Sequence, residues 1–477
     1  MQALRSTLVL ASLAVFSACG GSKATTSTGG HAAGTGGHAA GTGGHMAGTT
    51  GTGATGASTG TGGAGGAAPT CGTDGWLTYG HDARRTSASD GCVNGPLTTS
   101  WRYAPAPPAS KTLKGVFNAI AQSDAVFVVW SASNDPYLGT SAADRVDLTG
   151  QRAWTFDSGT DSNLGNWPSV ALGSLILNED GLFFLDPKTG MKTAGNGVDN
   201  WGQSLTDGTR IYVVNDSHVD GPGIYVGAYD GTCKQLWAAN SYGKCRIDAG
   251  DLAGGIALDG ASLFYAPSYS LGMGVTLGFS SGLYAFDPAM GTQQWYQAAT
   301  PTSGISAGNG LVYLVEGGTD LVARQQSDGT KAWSAAVMGV GTQAPALAGA
   351  HVIVAGAQGI TALDAKTGAP AWTAPVTGAA AQAFDLMFSG GCVPGSGQWS
   401  GNQFGAAVAT TTLAAALGSG TLVVTASDGI HILSLATGAE TWKGMAAQAM
   451  GTVINPVVVG SMVYVVDTGG LLALSAK

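Results

Sequence analysis

An all-β protein built from repeated four-stranded units is the fold class that the sequence predicts, and two features carry this prediction. A turn written Asp-x-x-Thr-Gly recurs along the chain, and a tryptophan follows four residues after its glycine; the clearest copy runs from Asp364 through Gly368 to Trp372. Short valine-, tyrosine- and leucine-rich runs, such as residues 211–214 and 463–466, fill the intervals between glycine-rich turns. Such runs are typical of β-hairpins. A repeat with a fixed period predicts an array of similar units.

The positions of the tryptophans indicate how many of these units the chain contains. Together with Ala194, which stands where one copy lacks its tryptophan, they recur about every 49 residues, the length of one four-stranded blade. The last unit ends without a tryptophan strand, whereas the strand around Trp101 precedes the first complete unit. We therefore predict an eight-bladed β-propeller, closed by pairing the N-terminal strand with the C-terminal blade. Seven residues are expected to dock structurally between blades: Trp101, Trp154, Trp237, Trp295, Trp333, Trp372 and Trp442.

Three regions are predicted along the chain. Residues 1–19 resemble the signal peptide of bacterial lipoproteins, because Arg5 precedes a short apolar run that ends in small residues before Cys19. The resemblance implies lipidation of Cys19; the alternative is an ordinary signal peptide with a chance cysteine. Residues 20–70 are rich in glycine, alanine, threonine and serine, a composition that predicts a disordered tether. Residues 71–477 form the predicted propeller.

Charge and cysteine content restrict the function further. A net charge of −9 with only 10% charged residues predicts no basic face for nucleic acid. The cysteines fit an exported protein, and the close pairs Cys71–Cys92 and Cys233–Cys245 are the expected disulfides. Cys392 is left over, either as a buried thiol or as another partner for Cys71 or Cys92.

The Asp-x-x-Thr-Gly-x-x-x-Trp repeat resembles the PQQ-like repeat of quinoprotein-type propellers, and the segment from Trp76 to Thr86 resembles the lead-in of exported members. One branch of that family holds pyrroloquinoline quinone and calcium on the propeller axis and oxidises alcohols or sugars. Another contains non-catalytic lipoproteins of the BamB type. The adjacent cysteines of the alcohol-oxidising branch are missing here, and the acidic residues fall mostly in the repeat turns: Asp147, Asp186, Asp230, Asp287, Asp328 and Asp364. The sequence therefore favours a non-catalytic binding or scaffold protein without a cofactor; the alternative is a dehydrogenase with pyrroloquinoline quinone and calcium.

Polar and indole side chains precede several predicted inner strands. Inner strands begin at the mouth of a propeller's central funnel, where indoles can stack on a polar ligand and amides can hydrogen-bond to it. The candidate ligand contacts are Asn166, Trp167, Asn200, Trp201, Gln203 and Gln343. The alternative is that these residues pave a water-filled channel.

Two longer insertions, residues 265–273 and 384–404, are candidate surfaces for partner docking. We expect an exported monomer, an outer membrane lipoprotein on the periplasmic or the cell-surface face. Its membrane contact would be the lipid alone, and its partner an envelope protein or a polar ligand.

Overall fold

Strands account for the regular structure of the chain, and no described residue lies in a helix. The computed structural model describes residues 71–133, 140–158, 168–179, 181–196, 203–216, 224–240, 255–267, 281–337, 343–356, 359–376, 391–392, 399–400, 412–445, 448–451 and 453–477. Two strands precede the first blade: β1 (Ala88–Ser89) and β2 (Leu97–Tyr103).

Four-stranded antiparallel sheets follow one another along the chain as blades 1 to 4. Their strands are β3 (Thr112–Ala121), β4 (Ala125–Ser133), β5 (Thr140–Asp147) and β6 (Arg152–Asp157); β7 (Ser169–Ala171), β8 (Ser174–Glu179), β9 (Gly181–Leu185) and β10 (Lys192–Asn196); β11 (Ser204–Thr206), β12 (Ile211–Asp216), β13 (Ile224–Tyr229) and β14 (Gln235–Asn240); β15 (Ile256–Asp259), β16 (Ser262–Tyr265), β17 (Gly282–Phe286) and β18 (Gln293–Ala298).

Blades 5 to 8 complete the ring, and the eight-bladed propeller predicted from the repeat is confirmed. Their strands are β19 (Ser306–Gly308), β20 (Leu311–Glu316), β21 (Asp320–Gln325) and β22 (Lys331–Ala336); β23 (Ala346–Ala348), β24 (His351–Gly356), β25 (Gly359–Asp364) and β26 (Pro370–Ala374); β29 (Thr412–Ala416), β30 (Thr421–Ala426), β31 (Gly429–Ser434) and β32 (Glu440–Gly444); β33 (Ile454–Val459), β34 (Met462–Asp467) and β35 (Gly470–Ala476), with β2 as the last strand. Between blades 6 and 7, β27 (Gly391–Cys392) pairs with β28 (Trp399–Ser400).

Closure depends on β2, which pairs antiparallel with β35 from Leu97 opposite Ala476 to Tyr103 opposite Leu471. The Arg102 guanidinium lies on this strand and binds Asp467 with both of its terminal nitrogens, at 2.5 and 2.8 Å. The Asp467 side chain is fully buried. Because an unpaired buried carboxylate is strongly destabilising, this ion pair holds the N-terminal strand in its place.

The closing strand also joins blade 8 to blade 1 through a buried carboxylate. The Tyr103 hydroxyl and the Trp130 indole nitrogen both donate to Asp144 Oδ2 at 2.6 Å, and the Thr155 hydroxyl donates to Oδ1 at 2.6 Å. Burial raises the pKa of Asp144, although these hydrogen bonds oppose the rise. Residues of two blades therefore meet on one carboxylate at the point where the ring closes.

Apolar side chains pack between neighbouring blades rather than in one central core. Phe127 of blade 1 packs with Leu175 and Leu177 of blade 2, and Tyr212 of blade 3 packs with Phe286 of blade 4. Blades 7, 8 and 1 share one larger cluster. Because both faces of a blade are covered, its middle strands are rich in apolar residues on both faces, as over residues 125–130 of β4.

Seven tryptophans lie at the blade junctions, and each ring packs on a glycine of the following blade. The pairs are Trp101 on Gly150, Trp154 on Gly190, Trp237 on Gly291, Trp295 on Gly329, Trp333 on Gly368, Trp372 on Gly438 and Trp442 on Gly95. A β-carbon on any of these glycines would come within 2.4 to 3.0 Å of a ring atom, which is closer than packed carbons allow. Six of the indole nitrogens also donate to a carbonyl of the adjoining turn: those of Leu148, Pro187, Pro288, Gln326, Ala365 and Leu435.

The junction between blades 2 and 3 differs, as the missing tryptophan at Ala194 predicts. Cys233 holds the place of the turn glycine there, since its nitrogen donates to Asp230 O as Gly150 N donates to Asp147 O, and its φ is 66°. Leu172 lies beside this turn, 3.6 Å from a β-carbon placed on Gly231. Cys233 and Tyr229 fill the junction together with Leu172 and Ala194. Smaller aliphatic groups therefore replace the indole at one of the eight junctions.

The turn aspartates cap the connections between the third and fourth strands. Asp364 Oδ1 accepts hydrogen bonds from the backbone nitrogen and the hydroxyl of Thr367 at 2.8 and 2.7 Å, and these bonds lower the pKa of Asp364. Asp328 is an exception among the aspartates assigned to the repeat. It accepts from Thr330, whereas Gln325 holds the position equivalent to Asp364, since its carbonyl accepts from the Gly329 nitrogen.

Replacing a junction glycine tests the docking of the tryptophans. Gly438 and Gly310 both have left-handed backbone (φ 70° and 76°), but only Gly438 faces an indole, that of Trp372. We expect Gly310→Ala to cost about 1–2 kcal/mol through backbone strain alone. Gly438→Ala should cost about 2–5 kcal/mol, because the added methyl overpacks the junction with Trp372 in addition to the same backbone strain. Denaturant unfolding of both variants gives the two values, and equal losses would contradict the docking role.

Candidate functional site

The segment 76–92, here called the plug, runs round the inside of the propeller and contacts each blade in turn. The inner strands, which are the first strands of the blades, surround the central channel, and the plug lies against them. The bonds in order of blade are Ala121 N to Trp76 O (2.9 Å), Val170 N to Leu77 O (2.7 Å), Thr78 Oγ1 to Ser204 O (3.0 Å), Leu258 N to Ala83 O (2.8 Å), Ala307 N to Arg84 O (2.9 Å), Leu347 N to Thr86 O (2.8 Å), Ala415 N to Ser87 O (2.8 Å) and Cys92 N to Gly460 O (2.8 Å).

The free edges of the inner strands explain this course. An inner strand pairs on one side only, so its other edge presents backbone N–H groups to the channel. In six blades a plug carbonyl accepts one of these N–H groups. At blade 7 the pairing is regular enough for β1 to join β29 as a parallel strand. The plug therefore satisfies donors that would otherwise need water.

Arg85 anchors the plug between blades 3 and 4. Its side chain is buried, and its guanidinium donates to Ser204 O at 2.9 Å and to Ile256 O at 3.1 Å. The same group also donates to the Thr78 hydroxyl and to the carbonyl of Tyr79 within the plug. Burial lowers the pKa of Arg85 to about 10, so the group is still a cation at neutral pH. All four of these acceptors are neutral oxygens.

Tyr79 lies beside this arginine, with its ring centroid 5.9 Å from the guanidinium carbon. Burial raises the pKa of Tyr79 to about 12, although hydrogen bonds with the Ala344 backbone and the Gln343 side chain oppose the rise. The plug backbone is strained here as well, because His81, Arg85 and Ser87 have φ angles of 76°, 61° and 50°. The surrounding inner strands therefore hold the plug in a conformation that an isolated peptide would rarely adopt.

A disulfide closes the plug into a loop. Cys71 and Cys92 are bonded, with their Cα atoms 5.2 Å apart, so this predicted pair is confirmed. The bridge lies beside blade 8, because the Cys92 nitrogen donates to Gly460 O at 2.8 Å. The disulfide therefore closes the plug and the residues just before it into one loop, which is fixed beside blade 8.

A small polar cavity remains next to the plug. Trp76, Tyr79, Asn118, Gln343 and Asn455 are among the residues that line it. The space open to the centre of a water molecule is about 20 Å³, which is room for roughly one water. The plug therefore occupies the channel beside this cavity, while the paving of a water-filled channel by the candidate residues stays a prediction.

The candidate ligand contacts have different outcomes. Gln343 lines the cavity and bonds Tyr79, and the buried Gln203 precedes β11, where its carbonyl accepts from the Val214 nitrogen at 3.1 Å. The remaining four lie outside the described residues: Asn166, Trp167, Asn200 and Trp201. Two amides of this set thus flank the plug, one in the cavity and one at a neighbouring inner strand.

Sequence reasoning missed the two residues that organise the site, Tyr79 and Arg85. The only signal for them was the lead-in from Trp76 to Thr86, which resembles that of exported family members but carries no repeat.

Other expectations are settled only in part. Cys233 is buried, with its sulfur 3.8 Å from Leu182 O, whereas Cys245 lies outside the described residues, so their pairing stays a prediction. Cys19 also lies outside them.

Tyr265, one of the residues proposed for partner docking, is buried in the core between blades 3 and 4, so that assignment was wrong. The other docking candidates, 268–273 and most of 384–404, are not among the described residues.

Within the described residues, no group of three or more His, Cys, Asp or Glu side chains is placed to hold a metal ion. A helix long and apolar enough to cross a membrane is likewise not found in that part of the chain.

Comparison with known proteins agrees with the repeat. A family model described as outer membrane protein assembly factor BamB matches residues 280–391, which cover the last two strands of blade 4, blades 5 and 6 and part of the connection that follows. No curated protein matches the sequence. The chain is thus an eight-bladed β-propeller whose repeat resembles the PQQ-like repeat. The repeat, the family match and the fold are together consistent with the PQQ-like β-propeller family.

Solved structures share the fold at low identity. The quinohemoprotein alcohol dehydrogenase of Comamonas testosteroni is 12% identical with a TM-score of 0.59, over 85% of this chain and 81% of that chain. A europium-containing methanol dehydrogenase is 13% identical with a TM-score of 0.55, over 85% and 98%. The computationally designed Ika8 protein is 11% identical with a TM-score of 0.52, over 80% and 100%. Because enzymes and a designed protein share it, the fold does not decide the function.

Two neighbouring arginines provide a matched test of the plug. Arg85 is buried and bonds the inner strands, whereas Arg84 is about half exposed and pairs with Asp82. We expect Arg85→Met to loosen the plug and to speed amide exchange at least tenfold at Val170, Leu258, Ala307, Leu347 and Ala415. Arg84→Met should leave these amides protected. Hydrogen exchange followed by mass spectrometry measures both variants, and equal protection in them would argue against the anchoring role of Arg85.

Proposed function

We propose that this chain is a lipid-anchored β-propeller of the cell envelope that acts as a non-catalytic binding or scaffold protein. The observation that carries the proposal is the plug, which occupies the axis and bonds to all eight blades. In the catalytic branch that the repeat resembles, the axis is where the cofactor is held. The match to the assembly-factor family over residues 280–391 supports an envelope location.

The residues around the axial cavity do not fit pyrroloquinoline quinone with calcium. Calcium takes six to eight oxygen ligands, carboxylates prominent among them, and none of the residues that line this cavity carries a carboxylate. Asp147 and Asp364 instead lie in turns at the outer strands and accept hydrogen bonds from those turns. We therefore propose that the protein works without a quinone.

The quinone question can be tested on the full-length protein. Titration with pyrroloquinoline quinone in the presence of Ca²⁺ should give no stoichiometric change in the quinone absorbance. Dye reduction with alcohols or sugars should stay at the level of the protein-free control. A quinoprotein alcohol dehydrogenase, treated in parallel, verifies that the reagents are active. Stoichiometric quinone uptake with substrate-dependent dye reduction would overturn the non-catalytic proposal.

The lipid anchor is the second part of the proposal, and Cys19 is its site. Cells that express the protein should incorporate an alkyne-labelled fatty acid into the wild-type chain. Cys19→Ser should abolish the label and move the protein out of the membrane fraction. Cys392→Ser is the matched control and should keep both the label and the location. Labelling that survives in Cys19→Ser would refute this anchor.

A further inference from the structure

We propose that the central channel is a binding site for a peptide that follows the bent course of the plug, that the plug occupies it in cis, and that the Cys71–Cys92 disulfide keeps it occupied. This inference rests on the proposed binding function and names the class of its ligand. The plug is the first occupant of the site, and its contacts indicate what another occupant needs.

The channel recognises its occupant mainly through the backbone. Six plug carbonyls, spread over blades 1, 2, 4, 5, 6 and 7, accept N–H groups from the free edges of inner strands at 2.7 to 2.9 Å. Between these bonds the plug turns, as at His81 N to Thr78 O and Arg85 N to Asp82 O, so the channel selects a bent backbone rather than a strand on one sheet edge. The donors belong to the blades, so they remain in place for a peptide of the same course that replaces the plug.

Selectivity for the side chains of the peptide comes from the channel wall around the Arg85 guanidinium. Ser204 and Ile256 supply backbone carbonyls to its guanidinium. The Ser306 hydroxyl donates to the Arg85 carbonyl at 2.9 Å, which fixes the backbone at the same residue. Oxygens from two adjacent blades in this arrangement suit the several N–H donors of an arginine. The preferred ligand is therefore a peptide with an arginine at this position.

The plug can leave without opening the ring. Closure depends on β2 and β35, and β2 begins at Leu97, after the plug has ended. The strained residues His81, Arg85 and Ser87 regain an ordinary backbone on release. What opposes release, besides the hydrogen bonds, is the burial of Trp76 and Ala88 between the blades and the covalent loop.

Thiol–disulfide exchange removes that loop. A dithiol reductant attacks the bridge at the exposed Cys71 or the half-buried Cys92, forms a mixed disulfide, and then closes its own disulfide. Two electrons and two protons pass to Cys71 and Cys92, which become free thiols. A loop of this length restricts the released state, so its opening raises the population of released plug on the order of 100-fold. The reductant is an exported dithiol protein in the cell, or dithiothreitol in the test.

The test uses the full-length protein and a fluorescent synthetic peptide of residues 74–91. In anisotropy titrations the oxidised chain should bind at least tenfold more weakly than the dithiothreitol-reduced chain. The Cys71→Ser/Cys92→Ser variant should bind without reductant, which separates this bridge from every other cysteine. A peptide with Arg85→Met should lose at least tenfold in affinity for the same protein.

Circular dichroism of each protein sample shows whether the chain is folded, and so whether a loss of peptide binding reflects unfolding. If the reduced chain stays folded and does not bind the peptide, the proposal fails. Equal binding by oxidised and reduced chains also overturns it, as does equal binding of the Arg85→Met peptide. If reduction unfolds the chain, the bridge supports the fold rather than controlling the site, and the proposal is again overturned. None of these results bears on the quinone titration or on the labelling of Cys19, so failure here is distinct from failure of the proposed function.

Discussion

The contact of a tryptophan ring with a glycine in the next blade is the constraint on which the rest of the propeller depends. An indole buries on the order of 150–250 Å², and it lies flat only where no β-carbon intervenes. The same glycine also has the left-handed backbone that the turn requires, as at Gly368 and Gly438. One residue type thus satisfies the turn of its own blade and the packing of its neighbour. Seven of the eight junctions are packed by this contact, so most blades depend on it on both sides.

A ring made in this way creates a second problem at its centre. Every inner strand has one unpaired edge, and eight such edges face one another across the channel. The backbone carbonyls of the plug accept hydrogen bonds from these edges. Its side chains contribute at few places, chiefly Arg85 and Tyr79. The resulting site has a mixed character. Its walls donate N–H groups to the backbone of the plug, and the carbonyl oxygens of Ser204 and Ile256 receive the one buried cation, Arg85.

The ring was predictable from the sequence and the plug was not, for a physical reason. Junction tryptophans and turn glycines repeat the same contact, so their regular spacing is visible in the sequence itself. The short separation of Cys71 and Cys92 likewise allowed their pairing to be predicted. Each plug residue instead makes a contact that occurs once, with a different blade each time, and no periodicity reports it. Asp328 shows that a match to the motif can also mislead. It was assigned to the repeat, yet Gln325 holds the position of the turn aspartate.

The position of the Cys71–Cys92 bridge also determines how the domain would bear load. If the chain is anchored at Cys19, tension from the membrane enters the folded domain at Cys71. The disulfide transmits this tension directly to Cys92. The plug, which lies between the two cysteines, bears no tension and is not drawn out of the channel. From Cys92 the force passes into β2, which is pulled along its own length against β35. In that shear geometry all hydrogen bonds of the pair resist together, so the strongest mechanical connection lies where the anchor would pull.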